Sequence, residues 1–141
     1  MGNKTIEFSF EGKIESYRRM TRYSKHSEEH QAYYAFKDLL LLRAKEAGYR
    51  PDEHIIDTLY VTVWFACPKS WSKKKKLRAI KGKHRQKPDL DNIVKGIADA
   101  LTKKDQTIIE IDALKAWSFD DSEGGLIRLG IIEKSTSSEK I

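Results

Sequence analysis

The sequence predicts an α+β fold, a single domain in which a mixed β-sheet of about four strands carries helices packed on one face. Three observations predict it. Apolar residues alternate with period two in four short segments, at 6–10, 55–66, 106–118 and 126–133. Two segments between them, 27–48 and 89–102, show helical spacing with capping residues at their ends. A chain of 141 residues without internal repeats suits one domain. That domain is placed at 1–133, followed by a polar, flexible tail at 134–141.

The elements follow in order. Ile6 to Phe10 alternates and reads as a strand. Residues 11–27 lack a period, carry Lys13, Arg18, Arg19, Arg22 and Lys25, and read as a basic loop. A long helix then starts at Ser27, an N-cap residue, with Glu28 and Glu29 in its first turn and Gly48 at its end. Its expected apolar face holds Ala32, Ala35, Phe36, Leu39, Leu40 and Leu42. Leu59, Val61, Val63 and Phe65 share one face of the next strand, which Pro68 stops. A short basic helix is expected between Ser70 and Gly82, and a second long helix between Asp89 and Thr102. Thr107, Ile109, Ile111 and Ala113 form the apolar face of a third strand. Ile127, Leu129 and Ile131 do so in a fourth, and the last two strands are expected to pair as a hairpin.

Composition narrows the functional classes. A single cysteine, Cys67, excludes an intrachain disulfide and a cysteine-based zinc site, and suits a reducing, cytoplasmic compartment. No run of about 18 apolar residues is present, so no membrane partner is expected. The first ten residues lack the apolar stretch of a signal peptide. Net charge is +6, and its distribution is uneven. Nine of the 27 Lys and Arg residues fall between Lys73 and Lys87, a stretch with no acid. They are Lys73, Lys74, Lys75, Lys76, Arg78, Lys81, Lys83, Arg85 and Lys87. Such a stripe is a phosphate-binding candidate, although basic runs also occur as plain solvated surface.

Directly after the stripe comes KPDLDNIVKGIADAL, residues 87–101. At about 100° per residue, Asp91, Lys95, Asp99 and Asn92 share one polar arc of a helix, with the aliphatic residues opposite. Asp89 stands at the helix start beside Asp91, and Asp105 precedes the next strand. If that strand returns beside the helix start, three carboxylates converge. Asp89, Asp91 and Asp105 would suit a hard, oxygen-loving cation, Mg²⁺ or Mn²⁺, rather than zinc. Lys95, one turn from Asp91, is placed to stabilise charge developing on a phosphodiester. The plainer reading is ordinary helix chemistry, with Asp89 as N-cap and Lys95 in an i, i+4 ion pair with Asp91 or Asp99. Adjacency favours the functional reading, because acids that bind a metal repel a polyanion unless cations surround them.

The same stretch resembles the signature of RusA-type Holliday junction resolvases, a basic residue followed by D-x-D-N-x-x-K-x-x-x-D-A-L. Asp89, Asp91, Asn92, Lys95, Asp99, Ala100 and Leu101 match it, and the element order fits over roughly 5–133. The resemblance implies a bacterial or phage-encoded homodimer that cuts four-way DNA junctions with Mg²⁺ by paired symmetric nicks. It implies that Asp89, Asp91 and Asp105 bind metal and that Lys95 is the essential lysine. Where the family usually carries an Asp-Asp-Ser-Gln-like stretch, this chain has KDQT, so Lys104 replaces the first acid; Asp99 and Glu110 are the substitutes for Asp105. The Pro-rich loop common after the first strand is absent, and Tyr17, Arg18, Arg19 and Arg22 stand there. The competing readings are a basic DNA-binding module without cleavage and a less selective metal nuclease on branched DNA. Trp64, Trp117 and Trp71 are read as packing residues, with Trp71 also a candidate for stacking on a base. Cys67 is read as a buried thiol.

Overall fold

A computed structural model describes residues 4–19, 27–82, 84–118 and 120–134. It contains the strands β1 (Lys4–Glu11), β2 (His54–Phe65), β3 (Glu110–Trp117) and β4 (Gly124–Glu133). Its helices are α1 (Glu28–Glu46), α2 (Lys73–Lys81) and α3 (Leu90–Leu101). A 3-10 turn at Asp105–Thr107 precedes β3. The expected α+β class, a four-stranded mixed sheet with helices, is the one observed. Most of the expected tail, and Arg22, Lys25 and Lys83 of the basic segments, lie outside the described residues.

Sheet order is β1-β4-β2-β3. Strand β4 pairs antiparallel with both β1 and β2, and β2 pairs parallel with β3. The expected β3–β4 hairpin is therefore not formed, since β2 lies between them. Burial explains the choice. Ile127, Leu129 and Ile131 of β4 are fully buried, each worth about 1.5–3 kcal/mol when taken from water. The strand with the stronger apolar face takes a central place. Strand β3 forms the edge, with Glu110, Ile111, Asp112 and Leu114 all exposed. Close approach fixes the other side of β4: a Cβ at Gly124 would lie 2.3 Å from the carbonyl oxygen of Phe10.

One face of the sheet makes the core. Ile6, Phe8 and Phe10 of β1 join Leu59, Val61, Val63 and Phe65 of β2 there. Helix α3 adds Ile93, Val94, Ile97, Ala98 and Leu101. The buried stripe of α1 is His30, Tyr33, Phe36, Leu40 and Ala44. This corrects the expected face, because Ala32 and Ala35 are exposed and Leu42 is half exposed. The larger Tyr33 buries more area than the alanines and finds a partner for its hydroxyl, which donates to Asp99 at 3.1 Å. Tyr49 ties the other end of this helix pair, donating to the Leu101 carbonyl at 2.7 Å. Burial raises its phenol pKa to about 12.

The expected apolar face of the third strand is also altered. The hydroxyl of Thr107 donates to the Ile56 carbonyl at 2.8 Å and ties the 3-10 turn to β2. The strand starts only at Glu110, leaving Ile109 81% exposed. Ile111 and Ala113 do lie on the helix side, in register with Leu59 and Val61. Among the described residues no helix is long and apolar enough to cross a membrane.

Candidate active site

Helix α3 carries the signature. Asp89 occupies its N-cap position, yet its side chain makes no capping hydrogen bond. The helix therefore does not use this carboxylate in the way that makes N-cap aspartates structurally ordinary. Ile93, Val94, Ile97, Ala98 and Leu101 are buried, while Asp91, Asn92, Lys95 and Asp99 lie on the open side, as the helical spacing requires. Among the described residues the carboxylates of Asp89, Asp91 and Asp105 take no hydrogen bond or ion pair.

The parallel pairing of β3 with β2 returns the chain beside α3. As a result Asp91, Lys95 and Asp105 line one open depression of about 660 Å³, floored by aliphatic residues of α3 and β3 such as Val94, Ile108 and Ile111. Asp89 is not part of this lining; it sits at the mouth of the helix, two residues before Asp91. Among the described residues no three His, Cys, Asp or Glu side chains stand together as a metal-binding group. Two free carboxylates on one open, water-accessible surface nevertheless fit Mg²⁺. That ion keeps several waters and takes one or two protein carboxylates together with substrate phosphate.

The two substitute acids are employed elsewhere. Asp99 accepts from the Tyr33 hydroxyl and from Lys37 Nζ, the latter at 2.7 Å. Burial and then the Asp99 charge push the Tyr33 phenol well above its ordinary pKa. Glu110 accepts from the Tyr60 hydroxyl at 3.0 Å. It stands in register with Thr58, one position out of phase with Ile111, on the sheet face turned away from α3.

Lys95 does not pair with the acids of its own helix. Its Nζ lies 4.1 Å from the centroid of the Tyr17 ring. Gly96 makes this possible. The basic loop crosses α3 there, and a Cβ at Gly96 would lie 3.1 Å from the Tyr17 nitrogen. That nitrogen donates to the Asn92 carbonyl at 3.0 Å. Arg18 follows, with one guanidinium nitrogen 3.2 Å from Glu29, and Arg19 is exposed. In sequence Tyr17 stands out only as part of a departure from a family pattern; its aromatic contact with Lys95 has no signal in spacing.

The stripe is partly helical. Helix α2 starts two residues later than expected, with Ser72 and not Ser70 as its cap, and Lys73, Lys74, Lys75 and Arg78 are exposed along it. Lys76 is partly covered, with Nζ 4.0 Å from Asp121. Arg85 and Lys87 are exposed beyond the helix, and the side chain of Lys81 lies outside the described residues. Trp71 is committed to packing: its ring lies 4.9 Å from Trp117, and Lys75 sits over it at 4.4 Å. His84 is buried and stacks on Trp117 at 3.8 Å, tilted by 13°. Burial, then the charge of Lys115, lowers its pKa. Its ring is thus committed to packing and is not presented to solvent. Cys67 is buried, as expected.

The pattern of the Endodeoxyribonuclease RusA family matches residues 11–122, a span that includes the crossing loop, the stripe, α3 and Asp105. The chain belongs to the RusA endodeoxyribonuclease family. It is also 37% identical over 103 residues to an uncharacterized protein, YqaN, of Bacillus subtilis (strain 168), covering 66% of this chain and 71% of that one. In this RusA-family chain the matching span contains every residue that lines the depression. The residues outside it are mainly β1 and all of β4, the antiparallel pair that completes the sheet. One residue behind the depression, Lys115, has only a faint mark in the sequence. It is a lone cation on a strand face otherwise made of Ile111, Ala113 and Trp117.

Proposed function

We propose that this protein is a Mg²⁺-dependent, structure-selective endodeoxyribonuclease that resolves four-way DNA junctions by paired symmetric nicks. The observation that carries the proposal is the joint lining of one open depression by Asp91, Asp105 and Lys95, in a chain of a DNA endonuclease family. Asp91 and Asp105 are the carboxylates that would hold the ion, with Asp89 close enough in sequence to share the load. A bound Mg²⁺ supplies Lewis acidity toward a phosphoryl oxygen and lowers the pKa of a coordinated water.

The chain's own residues do the rest. Lys95 presents an ammonium to the non-bridging oxygens of the phosphodiester, where negative charge grows on attack. Asp89, whose carboxylate is not spent on capping its helix, is available to orient the attacking water. Lys73, Lys74, Lys75, Arg78, Arg85 and Lys87 hold flanking phosphates, and Arg18 and Arg19 do so from the loop that crosses α3. These contacts position the DNA without reading bases.

Resolution needs two nicks on opposed strands, and one chain carries one acid set. A homodimer with its two depressions facing opposed strands matches the near two-fold symmetry of a junction. A second reading, DNA binding without cleavage, draws support from the lack of a three-acid group among the described residues.

A labelled four-way junction and a sequence-matched duplex, each with Mg²⁺ or with EDTA, separate these readings. Cleavage of the junction alone, only with Mg²⁺, and at symmetric positions supports resolution. Binding without cutting supports the second reading, and equal cutting of flaps and junctions supports a less selective nuclease. Sedimentation of a fully active monomer would remove the dimer.

A further inference from the structure

Residues 84–89 join the basic helix to α3 without forming a helix or strand of their own. Their backbone is held instead by side chains of β3. Lys115 Nζ donates to the carbonyl of Gln86 and, at 2.8 Å, to that of Pro88. Two residues on, Trp117 stacks on His84, and Phe65, its neighbour on β2, meets that ring edge-on at 5.0 Å. Lys115 and Trp117 share one face of β3, in register with Val63 and Phe65. The segment is therefore gripped at two points by one strand face: Trp117 takes its start, and Lys115 takes its end.

The end is what matters chemically. Asp89 follows Pro88 directly, and Asp91 lies two residues further. An ammonium has three donors, and here two are spent on the carbonyls at either side of Lys87. The same β3 continues from the turn that carries Asp105. One strand thus sets both sides of the depression, the turn by chain continuity and the Asp89–Asp91 entry by a side chain.

We infer that Lys115 is a positioning residue that fixes the Asp89–Asp91 entry of α3 relative to Asp105, by clamping the carbonyls of Gln86 and Pro88 onto β3. The inference deepens the proposed nuclease reading and rests on it for its catalytic consequence. Lys115 touches no reacting group. Its two carbonyl bonds also keep it from acting as a free phosphate contact, which separates it from the lysines of the stripe. Displacement of reacting groups by about 1 Å costs on the order of 100-fold in rate, so loss of the clamp should appear mainly in kcat.

Lys115→Met keeps the aliphatic stem and removes the donors; Lys115→Arg keeps donors. The full-length protein and both variants are compared by junction affinity, kcat, Mn²⁺ binding by calorimetry, and amide hydrogen exchange over residues 86–92. Circular dichroism and thermal unfolding check the fold. For Lys115→Met the expected result is a kcat lower by roughly 10- to 100-fold, unchanged junction affinity, weaker Mn²⁺ binding and faster exchange over 86–92. Lys115→Arg should recover most of each. Unchanged exchange and Mn²⁺ binding in a folded Lys115→Met protein would overturn the inference. So would weakened junction affinity at unchanged kcat, which would make Lys115 a phosphate contact. If the wild-type protein cuts no junction, the nuclease reading fails, and exchange with Mn²⁺ binding still decides the role of Lys115.

Discussion

The ammonium of Lys95 rests over the ring of Tyr17, 4.1 Å from its centroid, and not against the carboxylates one turn away on its own helix. The ring is itself held edge-on by Tyr33, 6.1 Å away and tilted by 80°. Lys95 is thereby kept on the depression side of α3 without being neutralised by Asp91. A cation–π contact is worth about 0.5–2 kcal/mol, so Tyr17→Leu should slow junction cleavage by roughly 2- to 30-fold. Tyr17→Phe keeps the π-face and should cleave nearly as wild type. Single-turnover rates with Mg²⁺ measure both; equal rates for the Leu variant would mean the ring does not hold the ammonium.

Asp99 and Glu110 should prove dispensable for chemistry. Asp99→Asn weakens the Lys37 pair and the Tyr33 hydroxyl bond, at a cost of about 1 kcal/mol in stability. The folded variant should still cut. Glu110→Gln should cut normally, because its carboxylate faces the opposite side of the sheet. A stable Asp99→Asn protein with no cleavage would transfer the third acid from Asp105 to Asp99.

The basic stripe should act through phosphates. Replacing Lys73, Lys75, Arg85 and Lys87 by Ala should weaken binding to junction and duplex alike. The salt dependence should flatten by about 0.9 in log–log slope for each phosphate that is no longer neutralised. Affinity measured across a salt series tests this. A slope unchanged in the fourfold variant would make the run a solvated surface.

His84 should make the fold acid-sensitive. Its folded pKa lies below the ordinary value of about 6.5 because the ring is buried, with the Lys115 charge adding to the effect. The unfolded chain then binds the proton more readily, so stability rises with pH between the folded pKa and about 6.5. This contribution is present above that window and lost as pH falls through it. Thermal unfolding at about pH 7.5 and about pH 5.5 should show a smaller drop for His84→Phe, which keeps the stack on Trp117. An identical drop in variant and wild type would show that His84 does not set the acid sensitivity.

Local signals were strong where one helix face decided the outcome. The D-x-D-N-x-x-K spacing placed Asp91 and Lys95 on the solvent side of α3, and Ser27, Gly48 and Gly82 marked helix ends that the structure keeps. Pairing of strands was less legible. The adjacency of β3 and β4 in sequence suggests a hairpin, but which strand takes the centre depends on the summed burial of Ile127, Leu129 and Ile131 in the shared core, a tertiary quantity. The same limit hides Lys115 and Tyr17, whose partners lie 27 residues away at Pro88 for the first and across a loop at Lys95 for the second. Asp99 reads in sequence as an ion-pair partner of Lys95 or a substitute ligand, because its actual partner, Lys37, lies 62 residues earlier on another helix.

The central claim is that the carboxylates on the depression serve cleavage and not DNA binding. It is tested most directly by Asp91→Asn, assayed on one labelled four-way junction for binding without metal and for cutting with Mg²⁺. Loss of a metal ligand should abolish cutting, while the stripe and the crossing loop keep junction affinity at the wild-type level. Asp105→Asn should behave in the same way. Cutting at the wild-type rate by a correctly folded Asp91→Asn protein would contradict the account.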